Sequence, residues 1–207
     1  MLTPKLVIFD MDGLLFDTER LFMNKKHEIL KEYGYPAREE DYIQTIGLAG
    51  KQLYDKMAEI YGPDYPGEEI TKITRQRMKE HIDEFGPGLK PGILELLEEY
   101  KGKNIPCCVA SSSHRDIVEY YLEKGKIRSY FQFILGGDDF ARSKPEPDIF
   151  LAACEKENVA PQDALVYEDS DNGVLAAKNA GIPVICIPDL KPLREDLVDV
   201  PIAILSF

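Results

Sequence analysis

The sequence has few basic residues for its size. Its 207 residues include 25 lysines and arginines but 37 aspartates and glutamates, which gives a formal net charge of −12. A protein with this charge is repelled by nucleic-acid backbones and by anionic lipid surfaces. We therefore expect neither a nucleic acid nor a membrane as a partner. An anionic ligand would need local cationic side chains or a metal ion in order to bind.

Long apolar runs and metal-binding cysteine patterns are also missing. No apolar stretch approaches the roughly 20 residues that a membrane-spanning helix needs, and no signal-peptide pattern precedes the first apolar run. The four cysteines lack the spacing of a metal site, and their apolar or helical surroundings are typical of free, buried thiols. They are Cys107, Cys108, Cys154 and Cys186. We therefore expect a cytoplasmic protein, and we expect it to be a monomer.

Two hydrophobic patterns divide the chain. Between about residues 19 and 85, apolar residues recur at helical spacing, and no strand pattern interrupts them. Outside this block, short apolar runs alternate with helical patterns, which predicts a parallel sheet with right-handed crossovers. We therefore predict an α/β fold in which residues 1–15 and 87–207 form a doubly wound, Rossmann-like parallel sheet core. Residues 16–86 form an all-helical domain inserted into that core, which suits a chain of this length.

Turn and capping residues place the individual elements along the chain. Predicted strands cover 6–9, 105–110, 133–135, 164–167, 183–187 and 202–205. Predicted helices cover 19–33, 50–61, 68–85, 92–101, 114–124, 147–155 and 171–180. Because the strands of such a sheet run the same way, their carboxyl ends meet at one edge, which is where ligands bind in folds of this class.

The first predicted strand runs directly into carboxylates. Four apolar residues, 6–9, are followed by Asp10, Asp12 and Gly13. Carboxylates are poor strand residues, and side chains two positions apart in an extended segment point the same way, so Asp10 and Asp12 can face one spot. Two close carboxylates repel unless a cation lies between them or one is protonated. A simple turn is the alternative, but turn chemistry does not explain an acid that directly ends an apolar strand.

Three other polar stretches lie after later strands. Ser111-Ser112-Ser113 comes directly after the second predicted strand, and Glu168-Asp169-Ser170 comes directly after the fourth. The Ser111 hydroxyl and nearby backbone N–H groups at a helix start could clamp a phosphate, and the acids could hold Mg²⁺, which prefers a few hard oxygen ligands. Helix capping is the ordinary alternative for both stretches. The third stretch, residues 143–147, follows the third predicted strand and contains Lys144, which would ordinarily be a solvated loop lysine.

Four motifs together give this chain a resemblance to a known family. The string D-M-D-G-L-L-F-D-T-E at residues 10–19 closely resembles the first motif of the haloacid dehalogenase superfamily, in its branch of small phosphatases and phosphomutases. The serines at 111–113, the S-K-P-E-P string at 143–147 and the E-D-S string at 168–170 match its later motifs at the expected places. The resemblance covers the whole chain, and it implies the same α/β core with the inserted helices acting as a cap.

The resemblance implies a phosphomonoester hydrolase that works through an aspartyl-phosphate. Asp10 would be the nucleophile, and Asp12 would be the general acid that protonates the leaving oxygen and then the base that activates water. Ser111 matches the second motif and would clamp the phosphate, with Ser112 as a weaker contributor. Lys144 matches the third motif, and its ammonium would neutralise the nucleophile and the transferring phosphoryl group.

The resemblance also implies a Mg²⁺ cofactor and a small substrate. The metal ligands would be Asp10, the carbonyl oxygen of Asp12 and Asp169, with Glu168 acting directly or through a water molecule. The substrate would be a small phosphorylated metabolite, such as a sugar phosphate or a nucleotide. Basic residues of the inserted domain are candidates for selecting it, namely Arg20, Lys25, Lys51, Arg75 and Arg77.

Three alternatives stand beside hydrolysis. A phosphomutase resembling β-phosphoglucomutase would share the core residues but return the phosphoryl group to a sugar. The cap histidine and arginine of such mutases align with Phe22 and with Gly50 or Lys51 here, so we expect hydrolysis to dominate. A dehalogenase would have no use for Asp12 or for Mg²⁺. A non-catalytic binding domain would lack a catalytic group, and the four motifs show no such loss.

Overall fold

The computed structural model describes residues 3–48, 50–198 and 203–204, and its chain divides into two compact units. Met1–Asp17 and Pro87–Phe207 form the first, which we call the α/β unit, and Thr18–Gly86 forms the second, which we call the helical unit. The ends of the predicted last strand, residues 202 and 205, lie outside the described residues. None of the helices described in these ranges has the length and apolar character that crossing a membrane requires.

The α/β unit is built on one six-stranded sheet. Its strands are β1 (Leu6–Phe9), β2 (Cys107–Ala110), β3 (Phe133–Leu135), β4 (Ala164–Glu168), β5 (Val184–Cys186) and β6 (Ala203–Ile204). Neighbouring strands are parallel, in the spatial order β3-β2-β1-β4-β5-β6. Phe9, at the end of β1, lies beside Val109 of β2 and Tyr167 of β4. The doubly wound parallel sheet is therefore confirmed, and β1 ends where the strand order reverses.

Helices make up the helical unit and connect the strands of the α/β unit. The helical unit contains α1 (Thr18–Glu32), α2 (Glu39–Ile43), α3 (Gly50–Tyr61) and α4 (Gly67–Phe85). The α/β unit contains α5 (Ile93–Gly102), α6 (Arg115–Lys124), α7 (Asp148–Lys156), α8 (Asp171–Ala180) and α9 (Glu195–Val198). The sequence did not predict α2 and α9, because four or five residues are too few to show a helical period. The other helices end within one residue of the prediction.

Apolar residues of the strands and of two helices form the core of the α/β unit. All four residues of β1 are inaccessible to solvent. Ala153 on α7 and Ala177 on α8 are also fully buried in this core, where their small side chains let the helices approach the sheet closely. Each fully buried Leu, Ile, Val or Phe side chain contributes about 1.5–3 kcal/mol to folding, so the central strand is firmly held. The four cysteines are free and buried, as predicted.

The two segments that lead into and out of the helical unit run side by side within the α/β unit. The Lys90 N–H donates to the Leu15 carbonyl at 3.0 Å, and the Asp17 N–H donates to the Gly88 carbonyl at 3.1 Å. The helical unit is therefore inserted through two segments of the α/β unit that are hydrogen-bonded to each other. Within the helical unit, α1 packs on α4.

Candidate active site

The backbone of Asp10 is fixed at the carboxyl end of the central strand. Asp10 follows β1 directly, its N–H donates to the Tyr167 carbonyl on β4 at 3.0 Å, and the residue is 7% exposed. Gly13 turns the chain behind Asp10 and Asp12 with a φ of 75°, a left-handed conformation that glycine adopts without strain. A β-carbon at Gly13 would also collide with the carboxylate of Asp169. The glycine therefore lets the exit of β1 approach Asp169 closely.

Lys144 lies between two carboxylates. Its Nζ atom is 2.5 Å from Oδ1 of Asp10 and 2.6 Å from Oε1 of Glu168, and it donates to the Ala110 carbonyl at 3.0 Å. Burial lowers the pKa of Lys144, but the two carboxylates more than offset this effect and raise the pKa above its usual value. The ammonium is therefore charged. The alternative of a solvated loop lysine is wrong.

Glu168 is held in one orientation by its own loop. Its Oε2 accepts hydrogen bonds from the Asp169 N–H (2.9 Å), the Ser170 N–H (3.0 Å) and the Ser170 hydroxyl (3.0 Å), and its side chain is 1% exposed. Gly173 on α8 packs so closely that a β-carbon there would overlap the Glu168 carboxyl group. Ser170 caps α8, because its Oγ accepts from the Gly173 N–H at 3.1 Å. The capping role of this stretch thus belongs to Ser170.

Three carboxylates form what we call the acidic cluster: Asp10, Glu168 and Asp169. Each offers an oxygen within 4.8 Å of the others. Burial, aided by Glu168 and Asp12, raises the pKa of Asp10 to about 7, although Lys144 opposes this shift. Burial and neighbouring acids also raise the pKa of Asp169 well above its usual range. The positive charge of Lys144 therefore does not neutralise the negative charge of the three carboxylates. A hard divalent cation would supply the missing charge, and an all-oxygen donor set fits such a cation.

The serine stretch contacts Asp12 instead of capping a helix. The Ser113 hydroxyl donates to Oδ2 of Asp12 at 2.8 Å, and the Ser113 N–H donates to Oγ of Ser111 at 3.0 Å. Ser111 is buried and Ser112 is exposed. Helix α6 begins after His114, whose side chain makes no capping hydrogen bond among the described residues. The alternative that these serines cap α6 is therefore wrong, because the Ser113 hydroxyl bonds to Asp12 and Oγ of Ser111 accepts from the Ser113 N–H.

Ser113 was absent from the residues that the sequence assigned to the site. It stands two positions after Ser111, which is the spacing that puts side chains of an extended segment on one side. That spacing predicts a shared direction for the two serines, but it does not identify Asp12 as the acceptor of the hydrogen bond. The side chain of His114, the next residue along the chain, is 76% exposed.

The sequence of the chain matches a known protein family. The family model for haloacid dehalogenase-like hydrolases matches residues 7–187. The chain belongs to this family. The residues of the chain that match the family model include the acidic cluster, Lys144 and the serine stretch.

Two relatives of this hydrolase carry phosphatase names. It is 38% identical over 196 residues to a Drosophila melanogaster protein named "Probable pseudouridine-5'-phosphatase", a match that covers 91% of this chain and 83% of the relative. It is 34% identical over 178 residues to the phosphorylated carbohydrates phosphatase of Thermotoga maritima, covering 85% of this chain and 81% of the relative. Its fold matches the crystal structure of CbbY from Rhodobacter sphaeroides in complex with phosphate, with a TM-score of 0.74 and 28% identity over 98% of this chain and 93% of that one.

Three of the five basic residues that the sequence singled out in the helical unit are paired with acids of the same unit. The pairs are Lys25 with Glu28 (3.0 Å), Lys51 with Asp55 (2.5 Å) and Arg77 with Glu32 (2.7 Å). Ion pairs on an exposed helix surface are the usual state of such residues. These contacts therefore favour the ordinary surface role for the three side chains.

Lys26 is the lysine of the helical unit that sequence reasoning missed. It is 2% exposed, and its Nζ atom lies 5.6 Å from the centre of the Tyr42 ring. Burial lowers the pKa of its ammonium to about 8. A signal was present in the sequence, because Lys26 stands four positions from both Phe22 and Leu30 and so shares the apolar face of α1.

Proposed function

We propose that this chain is a Mg²⁺-dependent phosphatase that hydrolyses a small phosphorylated metabolite through an aspartyl-phosphate on Asp10. The observation that carries the proposal is the buried contact of Lys144 with both Asp10 and Glu168, at 2.5 and 2.6 Å. A carboxylate at the end of a central strand, beside a charged ammonium group and a proposed site for a divalent cation that together favour its ionised form, is a suitable nucleophile at the edge where ligands bind. The phosphatase names of two relatives support the same chemistry.

In the first half-reaction, a carboxylate oxygen of Asp10 attacks phosphorus in line as the ester P–O bond breaks. Asp12 gives its proton to the leaving oxygen, so the alcohol departs neutral. Lys144 and Ser111 hold the charge on the equatorial phosphoryl oxygens, and Ser112 contributes more weakly. The buried position of Lys144 supports this role, because an ammonium acts more strongly where water is excluded.

In the second half-reaction, a water molecule attacks phosphorus of the aspartyl-phosphate. Asp12, now a carboxylate, takes a proton from this water, and the bond between phosphorus and Asp10 breaks. Inorganic phosphate leaves and the Asp10 carboxylate is restored. The hydrogen bond from the Ser113 hydroxyl to Asp12 (2.8 Å) supports this assignment, since it fixes the direction of the group that must exchange the proton.

The proposed metal ligands are Asp10, the carbonyl oxygen of Asp12 and Asp169. Mg²⁺ bound there would neutralise the transferring phosphoryl group. Glu168 acts directly or through a water molecule, and its contacts favour the water. Its Oε2 already accepts three hydrogen bonds, and its Oε1 lies 2.6 Å from Nζ of Lys144. A carboxylate engaged on both oxygens is better suited to holding a metal-bound water than to replacing it.

The helical unit is the proposed cap, which closes over the site, excludes bulk water and selects the substrate. The substrate class follows from the two relatives, whose names refer to a nucleoside monophosphate and to phosphorylated carbohydrates. The chain carries a net charge of −12, so binding of such an anion depends on Lys144, the metal ion and N–H groups of the loops. The cytoplasmic location and the monomeric state remain predictions from the sequence.

Release of inorganic phosphate from a panel of sugar phosphates, polyol phosphates and nucleoside monophosphates tests the proposal. The wild-type protein with Mg²⁺ should hydrolyse at least one class, and Asp10→Asn should hydrolyse none while keeping its circular dichroism spectrum. Mass spectrometry of the acid-quenched wild type should find a phosphoryl adduct on Asp10. An active Asp10→Asn variant, an adduct on another residue, or no release from any compound would contradict the proposed function.

A further inference from the structure

Asp189 lies beside the acidic cluster and belongs to none of the four motifs. It follows β5 in the sequence, its side chain is 5% exposed, and its Oδ1 accepts a hydrogen bond from Nζ of Lys90 at 2.5 Å. Its other oxygen, Oδ2, is buried and has no hydrogen-bond partner among the described residues. A buried acceptor without a donor destabilises the folded state, and more so when it carries charge. A donor supplied by a bound ligand would therefore stabilise this oxygen.

The unpartnered oxygen faces the space that the acidic cluster also borders. Oδ2 of Asp189 lies 3.3 Å from the point where a β-carbon on Gly13 would stand, and the Asp169 carboxylate crowds that same point. Asp189 is also one of the acids that act on the Asp169 carboxyl electrostatically. Asp189 lies outside the three residues whose oxygens approach within 4.8 Å of one another. Asp189 therefore lies next to the acidic cluster without belonging to its three closest carboxylates.

Lys90 fixes the carboxylate of Asp189 in this position. Its backbone N–H donates to the Leu15 carbonyl at 3.0 Å, so the lysine is tied to the segment that leaves β1. Its side chain is largely buried along with that of Asp189. The ammonium balances the charge of Asp189 through Oδ1 and leaves Oδ2 free to accept from another donor.

We propose that Asp189 is an outer-sphere carboxylate of the metal site, whose Oδ2 accepts a hydrogen bond from a water molecule on the Mg²⁺ ion, with Lys90 holding it in place. Mg²⁺ usually keeps several of its waters in protein sites, and groups that bind such waters tune the affinity of the site. The inference rests on the proposed function, because it needs a cation at the acidic cluster.

The test is a titration of the protein with Mn²⁺ in the absence of substrate. The electron paramagnetic resonance signal of free Mn²⁺ measures how much ion remains unbound, and Mg²⁺ is then added as a competitor. Asp189→Asn should raise the dissociation constant for Mn²⁺ by about tenfold or more. Lys90→Met should weaken Mn²⁺ binding less than Asp189→Asn does, because the carboxylate that accepts from the metal-bound water remains and only its fixed position is lost. Asp163→Asn is the matched control. Asp163 pairs with Lys5 at 2.7 Å, just before β4 begins and so at the opposite edge of the sheet.

The outcomes separate this inference from the proposed function. If the wild type and the Asp163→Asn control bind no Mn²⁺, the metal site itself is wrong and the inference falls with it. If they bind Mn²⁺ but Asp189→Asn binds within about twofold of them, the outer-sphere role alone is overturned. Equal weakening in Asp189→Asn and Lys90→Met would also overturn it, since that result marks a purely structural ion pair. Should Asp189→Asn not fold, the Lys90→Met/Asp189→Leu double variant replaces it, with the same weakening expected.

Discussion

The Ser113 hydroxyl donates a hydrogen bond to Oδ2 of Asp12 at 2.8 Å, across 101 positions of the sequence. Asp12 belongs to the exit of β1, and Ser113 belongs to the loop after β2, so the bond joins two neighbouring strand ends. In the proposed mechanism Asp12 must face the leaving oxygen and then the attacking water. A carboxylate that is already oriented loses less entropy at each of these steps.

Replacing Ser113 by alanine should therefore lower kcat more than it changes KM. We expect a loss of about tenfold in kcat, a fraction of the 10²–10⁴ that general acid–base catalysis typically contributes. Ser113→Thr keeps the hydroxyl group and should retain most of the activity. Steady-state kinetics of the two variants on the same substrate make the comparison, and an alanine variant as fast as the wild type would show that Asp12 is oriented without Ser113.

Lys144 should be essential to stability as well as to activity. Without its ammonium, Asp10 and Glu168 would be buried acids with no cation, and breaking a buried ion pair in this way typically costs about 3–5 kcal/mol. Lys144→Met should lower the free energy of unfolding by roughly that amount in urea titrations with chelator present. Adding Glu168→Gln should recover part of the loss, because it removes one of the two uncompensated charges. A double variant less stable than Lys144→Met would contradict this account.

Because Lys26 is buried, we expect the free energy of unfolding to depend on pH. Burial lowers the pKa of Lys26 to about 8 from the ordinary 10.5. Below pH 8 the folded chain carries a buried charge, so the penalty on folding is present in full. As the pH rises from about 8 towards 10.5, the folded protein releases this proton before the unfolded chain does, and the penalty is relieved. Lys26→Met should therefore raise the free energy of unfolding at pH 7 by about 2 kcal/mol.

The gain from Lys26→Met should shrink as the pH approaches 10. Lys31, an exposed lysine of the same helix, supplies the matched control. Lys31→Met should change the stability little at either pH, since an exposed ammonium pays no burial penalty. Urea unfolding at pH 7 and pH 10 measures all three proteins. A gain from Lys26→Met that is equal at both pH values would mean that packing, and not charge, explains it.

The position of the acidic cluster could be predicted from the sequence because topology determines it. Parallel strands end at one edge, so Asp10 after β1 and Glu168-Asp169 after β4 had to approach one another once the strand order was right. Asp189 follows β5 and obeys the same rule, yet Pro188-Asp189 also has the composition of a plain turn. Its pairing with Lys90 joins positions 99 apart, and no local pattern specifies such a contact.

Contacts that depend on loop conformation could not be predicted from the sequence. The serines after β2 have the composition of a helix cap, and only the path of the loop turns the Ser113 hydroxyl to Asp12. Helix α2 is five residues long, which is too short for periodicity to predict. Lys26 shows the opposite case, since its place on the apolar face of α1 was visible, but a charged residue there is ordinarily expected to reach solvent.

Removal of the metal ion should abolish turnover reversibly. Activity should vanish in excess chelator and return with Mg²⁺, whereas Ca²⁺, which is larger and less strictly octahedral, should bind and inhibit. Asp169→Asn should require more Mg²⁺ for half-maximal activity, because it replaces a proposed carboxylate ligand in a cluster whose three acids each offer an oxygen within 4.8 Å of the others. Full activity of chelated protein would contradict the proposed Mg²⁺ dependence.

Hydrolysis of the aspartyl-phosphate should be faster than transfer of its phosphoryl group to a sugar. A phosphomutase must grip the second phosphate of a bisphosphorylated intermediate, which needs a cationic group on the cap. The place where such mutases carry an arginine holds Gly50 or Lys51 here. Gly50 has no side chain to bind a phosphate, and Lys51 is paired with Asp55 at 2.5 Å and lacks the two-pronged geometry of arginine. Phe22, at the place of the mutase histidine, can neither donate a hydrogen bond nor carry charge, and its ring lies 6.3 Å from that of Tyr42.

With β-glucose 1-phosphate and a trace of glucose 1,6-bisphosphate as substrates, inorganic phosphate should therefore accumulate faster than glucose 6-phosphate. Lys51→Met should leave the ratio of the two products unchanged, because a lysine already paired with Asp55 contributes little to holding a second phosphate. Both products can be followed in one reaction by coupled assays. Faster formation of glucose 6-phosphate, abolished by Lys51→Met, would establish the mutase alternative, because the same aspartyl-phosphate would then be attacked by a sugar hydroxyl in preference to water.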